Sequence, residues 1–130
     1  MDKPKILVID DEEIVRISCK KCLTPEGYDV SVAATGLEGM KLAKEDHYDL
    51  ILTDLKMPDM DGIEFLVKMK EMQREAKVIM ITGYSTIEHS EEAMRLGACN
   101  YIEKPFTPDT LIAAVKEALL AGKGKCEDRQ

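Results

Sequence analysis

Apolar residues along the chain fall into two patterns, short unbroken runs and longer stripes at helical spacing. The runs are Lys5-Ile6-Leu7-Val8-Ile9, Leu50-Ile51-Leu52-Thr53 and Val78-Ile79-Met80-Ile81. Each has the form of a strand covered on both faces, as in a parallel sheet. Val30 and Val32 alternate with polar neighbours, which suits an edge strand, and Asn100-Tyr101-Ile102-Glu103 forms a short strand before Lys104-Pro105. The stripes lie between these runs. Asp10-Asp11-Glu12-Glu13 open a helix reaching about Leu23, where negative charge suits the amino-terminal dipole, and Pro25-Glu26-Gly27 break it. Thr35-Gly36 lead into a second helix, with Leu37, Met40 and Ala43 inward. A third runs from about Gly62 to Met72 and carries Phe65, Met69 and Met72 at i, i+4 and i+7.

A fourth helix is expected over Ser85 to Leu96, with a thin stripe of Ile87, Met94 and Leu96 and with Gly97 as its cap. Thr107 as N-cap and Pro108 at the first helical position announce the last helix. Its Leu111, Val115, Ala118 and Leu119 point inward, and a polar tail begins at Gly122. Strand and helix thus alternate five times. That pattern predicts a parallel sheet with right-handed crossovers and helices on both faces. Such a sheet collects its functional groups at the carboxyl ends of its strands. Here those ends carry Asp10 and Asp11, Asp54, Thr82, and Lys104.

Composition narrows the classes without choosing among them. The 130 residues suit one domain, with 45% hydrophobic and 33% charged. A net charge of −7 with no basic cluster lacks the footprint of a direct nucleic-acid binder. No apolar run approaches the roughly 20 residues of a membrane span, and Met1-Asp2-Lys3-Pro4 has no signal-peptide character. The expected location is cytoplasmic. Cys19 and Cys22 form a CxxC, but with Val15 they lie on one helical stripe and no second CxxC exists. They read as packed helix cysteines. Cys99 reads as packed before a strand, and Cys126 as a free thiol in the tail.

Three carboxylates gathered at the strand ends repel, and one would take up a proton unless something compensates. Two compensators fit. A hard divalent cation such as Mg²⁺ takes carboxylate, water and phosphate oxygens, and Lys104 supplies a further positive charge. A phosphoryl group arriving there would meet the metal, the lysine and the Thr82 hydroxyl, and phosphoryl transfer needs mainly positioning and charge neutralisation. Asp54, on the strand between the acid pair and the Thr82 end, is the best nucleophile and would form an aspartyl phosphate. Single members of the set have plainer readings. Glu12 and Glu13 read as helix-start acids only, Asp59 and Asp61 as turn formers, and Met57, Met60, Met69 and Met72 as packing. His47 falls in a loop, His89 on the solvated side of the fourth helix, and Tyr101 alone reads equally as an edge-strand packer.

Taken together, Asp10-Asp11, Asp54 followed by Met57-Pro58-x-Met60-Asp61-Gly62, Thr82-Gly83, and Tyr101-x-x-Lys104-Pro105-Phe106 closely resemble response-regulator receiver domains. The resemblance covers about residues 4–121, leaving 122–130 as a tail or the start of a linker. It implies a flavodoxin-like receiver fold, a doubly wound five-stranded parallel sheet of order 2-1-3-4-5 with five helices on both faces. It implies that Asp54 is the phosphoacceptor, charged by a sensor histidine kinase or a histidine phosphotransfer protein. Asp11, Asp54 and the Lys56 backbone carbonyl would ligate Mg²⁺, with Asp10 acting through water. Thr82, the Gly83 amide and Lys104 would hold the phosphoryl oxygens. Tyr101 would turn inward once Thr82 moves, switching the face of helix four, strand five and helix five. Lys104-Pro105 would be a cis peptide. Lys56 and Tyr84 would flank the path of the hydrolytic water and slow dephosphorylation. The domain would then be a switched signalling element that assists its own phosphotransfer rather than an enzyme, acting on an output domain or effector protein.

Two other classes share parts of this pattern. A flavodoxin-like cofactor binder needs a Ser/Thr/Gly loop after strand one, where this chain has Asp-Asp-Glu-Glu. A haloacid-dehalogenase-type phosphatase wants Asp-x-Asp there, whereas this chain has adjacent aspartates and its nucleophile on strand three. Whether the domain stands alone or belongs to a longer regulator stays open at this level.

Overall fold

The computed structural model describes residues 3–72, 76–83 and 87–120, with the backbone alone over 87–90. Its strands are β1 (Lys5–Ile9), β2 (Asp29–Ala33), β3 (Leu50–Asp54), β4 (Lys77–Thr82) and β5 (Asn100–Glu103). The helices are α1 (Glu13–Leu23), α2 (Gly36–Glu45), α3 (Gly62–Met72), α4 (Ile87–Arg95) and α5 (Pro108–Leu120), and a short 3-10 turn, Thr24–Glu26, follows α1. All strand pairs are parallel, in the order β2-β1-β3-β4-β5. Both the element sequence and the strand order match the expectation.

The unbroken apolar runs follow from coverage on both faces. Side chains alternate along a strand, so Ile6 and Val8 of β1 join one core with Cys19, Leu23, Leu111 and Val115 from α1 and α5. Leu7 and Ile9 join the opposite core with Phe65, Leu66, Met69 and Ala93 from α3 and α4. Leu50 and Leu52 of β3 face the first core and Ile51 the second. Full burial of each such side chain contributes about 1.5–3 kcal/mol, so these strands fix the layers far more strongly than any surface pair could. The edge strands β2 and β5 are only partly covered.

The helix ends obey local chemistry. Thr35 caps α2 and Thr107 caps α5 through their hydroxyls. Gly97 adopts φ 111 after α4, where a left-handed turn needs a residue without Cβ. Cys19 is buried and Cys22 half-buried against the first core, and both are free thiols. Burial pushes the Cys19 thiol up to about 12, which suits a packing role. Cys99 is buried one residue before β5, as expected. Cys126, the tail from Gly122, Tyr84 and the Ile87 and His89 side chains lie outside the described residues.

Two orientations differ from the sequence reading. Leu37 is 64% exposed rather than inward. The buried face of α2 is Gly36, Gly39 and Ala43, because the helix lies so close to its neighbours that a Cβ on Gly39 would come within 2.4 Å of Ile9 Cδ1. A large residue one step round from Gly36 must therefore point to solvent. Met72 is also exposed, since its stripe runs past the core at the last residue of α3.

Candidate functional site

The topology brings the two acid-bearing strand ends side by side. β1 pairs with β3, so Asp10, one residue past Ile9, stands next to Asp54, one residue past Thr53. Asp10 is wholly buried and Asp54 is 4% exposed, while Asp11 faces solvent. One carboxylate oxygen from each of Asp10, Asp11 and Asp54 lies within 4.8 Å of the others. The local geometry orients them. Asp10 Oδ1 accepts from the Glu12 N–H at 2.9 Å, and the Asp10 carbonyl accepts from Arg16 Nη1 at 2.7 Å. Asp54 Oδ1 accepts from the Lys56 N–H at 3.3 Å.

Lys104 arrives from the far side of the sheet. Its N–H donates to the Thr82 carbonyl at 2.9 Å, continuing the β4–β5 ladder one residue past β5. The Lys104–Pro105 peptide is cis, as the resemblance implied. From there Lys104 Nζ reaches Glu12 Oε1 at 2.7 Å, Asp10 Oδ2 at 2.9 Å and Asp54 Oδ2 at 3.2 Å. The Asp10 contact is one of charge rather than a directed hydrogen bond, because the sealed Asp10 Oδ2 has no hydrogen-bond partner among the described residues.

Electrostatics follow from this packing. Burial raises the Asp54 carboxyl above its usual range, with Asp11 adding to the rise while Lys104 and the Lys56 N–H oppose it. Asp10 is raised by burial too, against the pull of Lys104 and with Asp54 adding to the rise. Burial works to deprotonate Lys104, but its close contacts with Asp10 and Glu12 and the charges of Asp10 and Asp54 outweigh that and hold it firmly cationic. One ammonium therefore serves three acids, and two of those are buried. The orphaned Asp10 oxygen and the three converging hard-oxygen donors suit a divalent cation or the water bound to one.

A cavity of about 860 Å³ opens over these groups, lined by Asp11, Glu12, Asp54, Lys56, Gly83 and Lys104, with Ile14, Met57, Pro105 and Phe106 as apolar walls. Thr82 is buried at the end of β4, one residue past the Asp54–Ile81 pairing. Tyr101 is not among the residues lining that cavity; it is half-buried on β5, and its sealed hydroxyl has no hydrogen-bond partner among the described residues. Burial, then Glu103 and Asp54, raise that phenol above its usual range. Asp10, Asp11, Asp54 and Lys104 are thus brought together as the strand ends implied, and Lys56 and Gly83 line the same cavity as the resemblance implied.

Two acids behave otherwise than their sequence reading. The Glu12 side chain caps nothing and binds Lys104 instead. Its position beside two acids gave no local signal, because its partner lies 92 residues away. Asp61 does start α3, accepting from the Ile63 N–H at 2.8 Å. Asp59, however, is more than a turn former, since its carboxylate accepts from the Gly36 and Leu37 N–H groups of α2.

Comparison with known proteins agrees with this geometry. The response regulator receiver domain family matches residues 6–116. The chain is 38% identical over 119 residues to sporulation initiation phosphotransferase F of Bacillus subtilis, covering 92% of this chain and 96% of that protein. It is 36% identical over 125 residues to regulatory protein AtoC of Escherichia coli, covering 96% of this chain but 27% of that one. Among solved structures, a CheY-like receiver domain protein from Methanospirillum hungatei superposes with a TM-score of 0.87 at 39% identity, covering 91% of this chain and 94% of that one. A Burkholderia pseudomallei response regulator with a phosphorylated aspartic acid, calcium ion and citrate gives 0.81 at 30% identity, covering 86% of this chain and 66% of that one.

Proposed function

This chain belongs to the response regulator receiver domain family of two-component systems, and on that basis we propose that Asp54 is its phosphoacceptor and Mg²⁺ its cofactor. The observation that carries the reading is the single lysine, Lys104, shared among buried Asp10, buried Asp54 and Glu12 at the strand ends. Such a centre holds excess negative charge that a dianionic phosphoryl group could not approach without more compensation. Asp11, Asp54 and the Lys56 carbonyl would hold Mg²⁺, with Asp10 acting through bound water. When bound, the cation supplies positive charge that neutralises the phosphoryl oxygens. Asp54 attacks phosphorus, its new P–O bond replacing the P–N bond of a phosphohistidine donor, whose imidazole leaves with the electron pair and takes up a proton. Lys104 then pairs with a phosphoryl oxygen, and Thr82 and the Gly83 amide take others. The Burkholderia relative with a phosphorylated aspartic acid and a calcium ion supports this assignment.

The donor is a sensor histidine kinase or a histidine phosphotransfer protein. The output passes through the α4, β5 and α5 face, by way of Thr82 and Tyr101, to an attached output domain or a separate effector. Likeness both to a phosphotransferase spanned almost end to end and to a regulator spanned over 27% of its length is compatible with either arrangement. The receiver unit occupies residues 4–121 and works in the cytoplasm without contacting nucleic acid itself. Among the described residues no helix is long and apolar enough to cross a membrane.

Incubation with acetyl phosphate and Mg²⁺ should add one phosphoryl group, detected by intact mass. Labelling of Asp54→Asn to a similar extent, or labelling undiminished by EDTA, would refute the assignment. Beryllofluoride, a phosphoryl mimic, should move amide resonances across residues 82–106. Shifts confined to the acid cluster would remove Thr82 and Tyr101 from the switch.

A further inference from the structure

Helix α2 begins with N–H groups that its own carbonyls cannot satisfy. The Glu38 N–H donates to the N-cap hydroxyl, Thr35 Oγ1, at 3.1 Å, and Glu38 Oε1 reaches back past the cap to accept from the Ala34 N–H at 2.8 Å. The other two are taken from elsewhere in the chain. The Gly36 N–H donates to Asp59 Oδ1 at 3.0 Å and the Leu37 N–H to Asp59 Oδ2 at 2.9 Å.

Asp59 lies in the loop between β3 and α3, which also carries Lys56, whose N–H donates to Asp54 Oδ1. That loop is closed at its base. The Gly62 N–H donates to the Leu55 carbonyl at 2.7 Å, and an isolated bridge joins Lys56 to Asp61. It is also seated directly on α2, since a Cβ on Gly36 would come within 2.9 Å of Met60 Cβ and 3.4 Å of Met57 Cε. A loop closed only at its base can still pivot, and a carboxylate bonded twice to a helix amino terminus supplies the external fixing point. Those bonds are charge-assisted and aligned with the helix dipole. Consistent with this, the Leu37 N–H leads, ahead of the opposing effect of burial and with the Gly36 N–H helping, in holding the Asp59 carboxyl below the usual range.

We propose that Asp59 is a positioning residue for phosphoryl transfer: its carboxylate pins the loop bearing Lys56 to the start of α2 and so holds the Lys56 carbonyl and amide in register with Asp54. This rests on the reading of Asp54 as acceptor and of the Lys56 carbonyl as a metal ligand. The pin touches neither substrate nor metal, so it acts through the loop.

The test uses the whole chain, with Mg²⁺ titrated calorimetrically and acetyl phosphate as donor. Asp59→Ala should lower Mg²⁺ affinity roughly tenfold, the low end for removing a group that orients a metal ligand, and should slow labelling as well. Asp59→Asn keeps one acceptor oxygen and should fall between parent and Asp59→Ala. Gly36→Ala pushes on Met60 without touching the carboxylate and should weaken Mg²⁺ in the same direction. Glu38→Ala removes the side-chain bond to the Ala34 N–H while leaving the loop pinned, so it should keep parental Mg²⁺ affinity. Parental affinity and rate in Asp59→Ala would overturn the proposal, as would an equal loss in Glu38→Ala, which would mean that α2 fraying alone is responsible. If the parent were not labelled at Asp54, the underlying functional reading would fall. The pinning would then be decided separately, by the Gly36 and Leu37 amide resonances of Asp59→Ala.

Discussion

Replacing Lys104 with methionine keeps the stem and removes the charge. In the parent, Nζ lies 3.2 Å from Asp54 Oδ2 and 2.9 Å from Asp10 Oδ2, and both acids are buried. At an effective dielectric near 20, one such contact is worth about 5 kcal/mol of attraction. Most of that offsets the desolvation of the charges involved, and removing one partner of a buried pair typically costs about 3–5 kcal/mol. The site opens into a cavity and Lys104 is 15% exposed, so some relief by water is available. The Glu12 contact adds little, because that side chain is 56% exposed. We expect Lys104→Met to lose about 2–4 kcal/mol in metal-free buffer at neutral pH.

The sign of the pH dependence follows from the raised aspartates. A carboxyl whose folded pKa lies above its unfolded value favours the fold while protonated, and that contribution is lost as pH rises through the folded value. Without Lys104 both groups rise further. The deficit against the parent should therefore shrink toward about pH 4, near the unfolded carboxyl value, and widen toward neutrality. Mg²⁺ at a hundredfold excess over its dissociation constant should restore about 2.7 kcal/mol at neutral pH. Urea unfolding of parent and variant at acidic and neutral pH, with and without Mg²⁺, reads all of this. A deficit under about 0.5 kcal/mol, within the range of an ordinary surface substitution, would refute the reasoning, as would one independent of both pH and Mg²⁺.

Three further outcomes are expected. Asp11→Ala should weaken Mg²⁺ at least tenfold, about 1.4 kcal/mol, while leaving urea stability close to parental because Asp11 faces solvent; tight Mg²⁺ binding in that variant would place the cation elsewhere. Gly62→Ala should destabilise by about 3 kcal/mol or more, the upper range for overpacking, since its Cβ would come within 2.5 Å of the Asp54 carbonyl and 2.6 Å of Leu55 Cα; thermal melting within about 2 °C of the parent would contradict that close approach. If Lys56 and Tyr84 flank the water's approach, as the family resemblance implies, Lys56→Asn and Tyr84→Ala should each shorten the aspartyl-phosphate lifetime, a tenfold change needing only about 1.4 kcal/mol of barrier. Parental decay in both would remove occlusion as the cause.

The sequence alone determined the layers and the roster of the site. Strands buried on both faces show themselves as unbroken apolar runs, and right-handed crossovers leave few ways to arrange five of them. The strand ends carry Asp10, Asp11, Asp54, Thr82 and Lys104, and the described structure clusters the three acids and sets Lys104 within ion-pair reach of Asp10 and Asp54. Tertiary structure alone decided which groups outside that roster join in. Glu12 looked like a helix-start acid because its neighbours are acids, yet its partner Lys104 comes from the other end of the chain. Asp59 looked like a turn residue because Pro58 and Gly62 surround it, yet its carboxylate serves the start of a helix more than 20 residues earlier. Leu37 looked inward because leucine usually is, yet the glycines beside it bring α2 too close for a large side chain. Periodicity reports what one element buries on average. A side chain's particular partner depends on where two or three elements come to rest against each other, and no single stretch of sequence records that.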